Sequence, residues 1–256
     1  METQKEILTG GTMNEVEKIG DKVHRKVNGH PMLHSYLLYL EQEGMTGVPR
    51  FLGMDEHGRE ILTYLPGRTD HPHDHPCLHS DETLIDVAGF MRKLHDISAG
   101  FVPTAVKNNW LNPFFPNAKH ETICHGDFAF WNWVFVDEKF AGVIDFDQAH
   151  PGRRAWDFTT MMFSSIFPGY WEYDPLSEAV TACKRRMKLF FDAYGTECPG
   201  DLVELTVDKI QRDVCDWIVD EAAKGNQNCI DMAKNGGLTH YENMRNHFKT
   251  HGQDWM

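Results

Sequence analysis

The sequence predicts an α+β chain in two lobes: a small antiparallel sheet with one helix over residues 1–65, and a larger, mainly helical part over 66–256. Three observations carry this reading. Short apolar segments broken by Gly10-Gly11 and Gly20-Asp21 fill the beginning of the chain, as in strands joined by tight turns. The stretch "RTDHPHDHPCLHS" after Pro66-Gly67 has no periodicity and marks a connection. Beyond it, apolar residues recur at helical spacing.

The elements can be read off in order. "KEILTGGTMNEVEKIGDKVHRKV" supplies the first strands, and Pro31 opens a helix over "MLHSYLLYLEQEG", where Leu33, Leu37 and Leu40 share a face and Gly44 is the stop. "VPRFLGMDEHGREILTYLPG" resumes as two strands around the turn "DEHG", which makes about five strands in all. The link between the lobes falls at about 62–67. "SDETLIDVAGFMRKLHDI" reads as a half-buried helix capped by Ser80 or Asp81, with Leu84, Val87, Ala88, Met91 and Leu94 on its apolar stripe. Strands near 133–137 and 141–145 flank "DEK" as a hairpin, and further helices are expected over 177–195, 200–224 and 239–250.

With 256 residues, 41% of them hydrophobic and 25% charged, the chain has the composition of a folded protein. No run reaches the roughly 18–20 apolar residues of a membrane span. The N-terminus "METQKEILTGG" is polar and lacks a secretory signal, so a cytoplasmic location is expected. Six cysteines without a C-x-x-C pair read as reduced thiols. A formal charge of −13 argues against nucleic acid, whose phosphates need a basic face, and suits a cationic partner.

The chemistry concentrates in two apolar segments. "ICHGDFAFWNWVF" sets Asp127 and Asn132 five residues apart, and "GVIDFDQAHPG" then delivers Asp145 and Asp147. Phosphoryl transfer rests on positioning a hydroxyl and neutralising charge, so it needs few parts: an Asp to accept the proton, then an Asn and a later Asp to hold Mg²⁺. Mg²⁺ takes hard oxygen ligands and keeps several waters, so Asn132 and Asp145 with the phosphates of a nucleotide suffice.

With "HGDFAFWN" and "IDFDQAHPGRRAWDF", the chain resembles the aminoglycoside phosphotransferase and choline-kinase-like group, small-molecule relatives of the protein kinases. The resemblance extends through "LTGGTMNEVEKIGDKVHRKV" and "GVPRFLGMDEHGREILTYLPG". It implies a bilobal protein-kinase-like fold and transfer of the γ-phosphate of ATP or GTP, with Mg²⁺, to a hydroxyl of a small molecule. Asp127 is then the catalytic residue, Asn132 and Asp145 the metal ligands, and Gly10, Gly11 and Thr12 the nucleotide loop. Thr63, Tyr64 and Leu65 would hold the base by backbone groups. The family's phosphate-holding cation lies on the third strand, where alternation puts Arg25 on the apolar side with Val23 and Val27. A helix Glu orients that cation in the family; here the corresponding position is His34, with Glu41 two turns on, and the partner of Arg25 stays open.

An aminoglycoside-like acceptor is the leading expectation. Choline, an amino-alcohol or a sugar would use the same machinery, and a non-catalytic nucleotide-binding module of this fold is the alternative from another class. Asp213 and Asp216, one turn apart beside Trp217, are candidates for a cationic substrate. His125 reads as a loop support, Asp147 as a residue behind the metal ligands, and Asp157 as an anchor and helix cap. The cluster His71, His73, Asp74, His75 and His79 reads as an exposed connection more readily than a metal site, because Pro72 and Pro76 restrict the loop.

Overall fold

The computed structural model describes residues 5–8, 16–69, 75–112, 117–166 and 177–255. Strands β1 (Lys5–Leu8), β2 (Val16–Ile19) and β3 (Lys22–Arg25) precede helix α1 (Leu33–Gln42), and β4 (Phe51–Met54) and β5 (Glu60–Thr63) come after it. The five strands form one antiparallel sheet in the order β1-β2-β3-β5-β4. One helix with five strands is the architecture expected for the beginning of the chain. The register sets Arg25 opposite Glu60 across β3 and β5.

The chain continues through α2 (Pro76–His79), α3 (Asp81–Ser98) and α4 (Val102–Lys107) to strand β6 (Thr122–Cys124). Strands β7 (Trp133–Val136) and β8 (Lys139–Val143) form a hairpin, and β9 (His150–Gly152) pairs with β6. The hairpin turn Asp137-Glu138 has φ of +49° and +61°, the paired positive values of a tight two-residue connection. Helices α5 (Ala155–Met161), α6 (Ser177–Tyr194), α7 (Leu202–Lys209), α8 (Trp217–Ala223), α9 (Gln227–Lys234) and α10 (Gly237–His251) complete the fold. Among the described residues no helix is long and apolar enough to cross a membrane.

The chain divides into two compact units, residues 1–73 with 90–154, and residues 74–89 with 155–256. In the first, α1 buries Leu33, Tyr36, Leu37 and Leu40. The Tyr36 ring lies 5.5, 6.0 and 6.3 Å from those of Phe101, Trp110 and Phe146, and its hydroxyl meets Ser98 Oγ at 2.6 Å. A Cβ on Gly142 would stand 2.1 Å from the Gly47 carbonyl oxygen, which accepts from Val143 N at 2.8 Å. The segment after α1 therefore lies directly on the β7–β8 hairpin, which ties the sheet's helix to the segment carrying Asp127 and Asp145.

In the second unit the Phe158 ring lies 5.8, 5.3 and 4.7 Å from those of Phe190, Phe191 and Tyr194. Arg186, 3% exposed, donates to the carbonyls of Ile166, His79 and Ser165 at 3.0, 2.7 and 2.8 Å. The bonds to Ile166 and Ser165 satisfy open carbonyls of a π-helical turn, Met162–Ile166, that extends α5, and the bond to His79 takes the last residue of α2.

The structure departs from the periodicity in three places. The helix expected over 200–224 is interrupted by a π-helical stretch, Ile210–Asp216, between α7 and α8. Helix α9 was not expected from so polar a stretch; Asn226 starts it by accepting from the N–H groups of Asn228 and Cys229. Strand β8 stops at Val143, so Asp145 lies beyond the strand and not at its end.

Candidate active site

The loop leaving β6 is shaped by a close approach of backbone to backbone. Gly126 has φ of +85°, and a Cβ there would stand 2.2 Å from the Gln148 carbonyl oxygen, so only glycine fits. His125, fully buried, joins the same two segments. Its Nδ1 accepts from the Asp127 N–H at 3.2 Å, which leaves Nε2 to donate to the Ile144 carbonyl at 3.0 Å. The imidazole is a loop support, as expected.

A 3₁₀ turn, Phe130–Asn132, folds two donors back onto Asp127. Asp127 Oδ2 accepts from Trp131 Nε1 at 3.0 Å and from Asn132 Nδ2 at 2.9 Å, and Asn132 Nδ2 also reaches the Asp127 carbonyl at 2.9 Å. With its amide nitrogen committed, Asn132 has Oδ1 left for a cation. The Asn132 carbonyl accepts from Ile144 N at 2.9 Å, which sets the residue before Asp145 beside the loop. The loop with Asp127 and Asn132 and the later segment with Asp145 are thus stitched together through His125 and Ile144.

Asp145 has φ of +66°, a left-handed conformation that side chains other than glycine adopt at a penalty and that concentrates where geometry serves a site. Its side chain is 47% exposed. Arg25 stands beside it, with Nη1 3.3 Å from Asp145 Oδ1, Nη2 on Asp147 Oδ1, and Nε 2.8 Å from Glu60 Oε1. Burial opposes the charge on Arg25, yet Asp147, Glu60 and Asp145 outweigh it and hold the guanidinium above its ordinary value. Asp147 is nearly buried, also accepts from Asn28 Nδ2 at 3.3 Å, and acts as an anchor for Arg25.

The oxygens Asn132 Oδ1 and the Asp145 carboxylate are hard donors with no thiol or imidazole among them, and the second is half-exposed. Such a set fits Mg²⁺, which keeps part of its water shell.

Sequence reasoning missed the acid that pairs with Arg25. Glu60 supplies it from β5, and its second oxygen, Oε2, meets His34 Nε2 at 2.8 Å. Glu41 is engaged elsewhere, with Arg50 at 3.2 Å. Glu60 carries no local signal, because only the strand register brings it opposite Arg25. Trp131 was also missed, although its position four residues after Asp127, next to Asn132, was a hint.

The other candidates fall in several places. The Thr63 N–H is taken by the Arg50 carbonyl at 3.0 Å and the Tyr64 N–H by the Asp21 carbonyl at 2.9 Å, while among the described residues no hydrogen bond takes the Leu65 N–H. Lys18 Nζ sits 4.2 Å from the Tyr64 ring centroid. Gly10, Gly11 and Thr12 lie outside the described residues, between strands that pair with Leu8 opposite Val16. His71, His73 and Asp74 lie outside them too. His75 Nδ1 caps α2, accepting from Cys77 N at 3.3 Å. Asp157 is fully buried in the first turn of α5. Asp213 and Asp216 both sit in the π-helical stretch, but they do not form a pair of open acids. Asp213 Oδ2 accepts from buried Lys209 at 2.8 Å, whereas Asp216 is exposed and accepts from Gln211 at 2.6 Å.

Comparison with known proteins bears on the fold and the family. A sequence profile described as the phosphotransferase enzyme family matches residues 104–174. Two solved structures of similar fold are the GDP and kanamycin complex of an APH(2″) protein and the GDP complex of an aminoglycoside 2′-phosphotransferase. They are 13% and 14% identical, each with a TM-score of 0.63 over 96% of this chain and 93% of theirs. They establish a kinase-like α+β fold. The trifolitoxin immunity protein of Rhizobium leguminosarum bv. trifolii is 32% identical over 202 residues, 73% of either chain. With that identity and coverage beside the profile match, the chain belongs to the phosphotransferase enzyme family.

Proposed function

We propose that this protein is a Mg²⁺-dependent kinase that transfers the γ-phosphoryl group of ATP or GTP to a hydroxyl of a small molecule. The observation that carries the reading is the Asp127 carboxylate, clamped at Oδ2 by Trp131 and Asn132, with Asp145 and Arg25 joined to the same loop. In this reading residues 1–65 bind nucleotide, through the Gly10–Thr12 loop and the backbone of Thr63 to Leu65, and residues 66–256 carry catalysis and the acceptor. Leu65 has the uncommitted N–H for a base. Asn132 Oδ1 and Asp145 would hold Mg²⁺, which when bound neutralises phosphate charge. Asp127 orients the acceptor hydroxyl and takes its proton, while Arg25 steadies the phosphates. The protein is read as cytoplasmic.

The acceptor is an aminoglycoside or another hydroxyl-bearing toxin. Solved structures of similar fold hold kanamycin, gentamicin and streptomycin, and the Rhizobium relative is named for immunity to trifolitoxin. The engagement of Asp213 by Lys209 favours the second class, because that acid is already neutralised inside the protein. Asp216 alone stays available to a cationic acceptor. The deciding experiment measures ADP release from Mg·ATP by purified protein against a panel of aminoglycosides, choline, sugars and trifolitoxin, beside susceptibility of a host expressing the chain. Release stimulated by a metabolite, with susceptibility unchanged, would make it a metabolic kinase. Nucleotide binding with no turnover for any hydroxyl compound would make it a binding module.

A further inference from the structure

We infer that Glu60 and His34 are positioning residues for the phosphate-binding cation, with Glu60 gripping Arg25 from the neighbouring strand and His34 tying that grip to helix α1. The inference rests on the phosphoryl-transfer reading above and adds to it the device that aims Arg25.

Arg25 and Glu60 face each other directly in the β3–β5 register, so their contact is built into the sheet and needs no loop to arrive. Glu60 is 1% exposed, and its Oε1 takes Arg25 Nε at 2.8 Å with little competition from water. The choice of nitrogen matters. Nε lies on the stem side of the planar guanidinium, so holding it there fixes the plane and turns the two Nη groups outward as a fork. Those Nη groups point at Asp145, a candidate metal ligand, and at Asp147. A lysine could not be aimed this way, because an ammonium is a point charge on a flexible stem.

The second oxygen of Glu60 is held as firmly as the first. His34 Nε2 meets Oε2 at 2.8 Å, and its ring lies face to face with Phe51 of β4, centroids 3.9 Å apart and 9° from parallel. The stack fixes the imidazole, the imidazole fixes the carboxylate, and the carboxylate fixes the guanidinium. Strands β3, β4 and β5 and helix α1 thereby share one chain of contacts that ends at the phosphate fork. Because Glu60 accepts from donors on both oxygens, an amide in its place must turn an NH₂ toward either Arg25 or His34. A glutamine at residue 34, by contrast, keeps a side-chain N–H that can reach Glu60.

The test compares two ligands by titration calorimetry: the Mg²⁺ complex of the β,γ-imido analogue of ATP, and adenosine, which has no phosphate. Variants are Arg25→Ala, Glu60→Gln, His34→Leu and His34→Gln, each checked by circular dichroism. The inference expects Glu60→Gln and His34→Leu to weaken the triphosphate analogue by about tenfold, a shift of roughly 1.4 kcal/mol in binding, with adenosine affinity unchanged and with His34→Gln restoring the loss. Equal weakening of both ligands would reduce the contacts to a general structural role and overturn it, as would unchanged affinity for the analogue. Should Glu60→Gln fail to fold, the two His34 variants carry the test, since that side chain is 23% exposed. If unaltered protein binds neither ligand, the kinase reading itself falls, and this inference with it. If unaltered protein binds the analogue and Arg25→Ala binds it equally well, only the inference falls.

Discussion

Trp131 donates its indole N–H to Asp127 Oδ2 at 3.0 Å, beside the 2.9 Å bond from Asn132 to the same oxygen. One edge of the carboxylate is thereby fixed by the turn immediately after it, and the orientation of the other oxygen is set at the same time. Trp131→Phe keeps the ring and removes the donor. A hydrogen bond to a charged group is worth about 1.5–3 kcal/mol. Expressed fully in the transition state, that is a fall in kcat of roughly tenfold to a hundredfold, with the KM for nucleotide unchanged. Steady-state kinetics check it, and an unaltered kcat would leave the indole a packing group only.

Asp127→Ala should lower turnover by about 10²–10⁴, the usual contribution of a positioned base, while nucleotide affinity stays near that of the unaltered protein. Coupled ADP-release assays beside calorimetry separate the two quantities. Full turnover in the variant would remove Asp127 from its role.

Gly126→Ala should destabilise the loop strongly. The φ of +85° disfavours any Cβ by at least about 1–2 kcal/mol, and the Gln148 carbonyl 2.2 Å from its position adds a backbone clash. A lowered melting temperature together with lost activity is expected; a neutral variant would mean that the two motif segments are not in contact.

Asp213 and Asp216 should separate under substitution. Asp213→Asn takes from Lys209, 2% exposed, the carboxylate that meets it at 2.8 Å, and removing one member of a buried pair costs about 3–5 kcal/mol. Asp216→Asn touches an exposed group and should leave stability unchanged, so that any effect it has on the KM of a cationic acceptor is a binding effect. Chemical denaturation distinguishes the two.

The acid limb of stability should depend on Asp55. Burial alone would raise its carboxyl, but hydrogen bonds from the Arg59 N–H, His24, the Arg59 guanidinium and the His57 N–H hold it well below the ordinary value of 3.8. A depressed folded-state value means that the contribution is complete above about pH 4, the range of an unfolded aspartate, and is lost as pH falls further toward the folded value. Asp55→Asn should therefore flatten the stability profile below that pH. An identical acid limb in both proteins would show that other carboxylates set it.

Much of this was legible in the primary structure, for local reasons. Alternation along "KVHR" put Arg25 on the side facing other elements, the spacing of Leu33, Leu37 and Leu40 marked the buried face of α1, and the order of Asp127, Asn132 and Asp145 pointed to the two segments that the structure joins. Strand and helix periods are properties of neighbouring residues, so they survive without knowledge of the fold. Which groups are left over for function is a different kind of fact. The partner of Arg25 lies 35 residues away and was decided by strand register. Asp213 lost its availability to Lys209, whose burial depends on how the helices pack. Asp145 left its strand for a left-handed turn because β8 ends at Val143, while His125 holds the Ile144 carbonyl and Arg25 takes the Asp145 carboxylate. Local pattern determined the residue types and their order; tertiary packing alone decided the pairings, since the energy of a buried charge depends on every group around it, whatever its place in the chain.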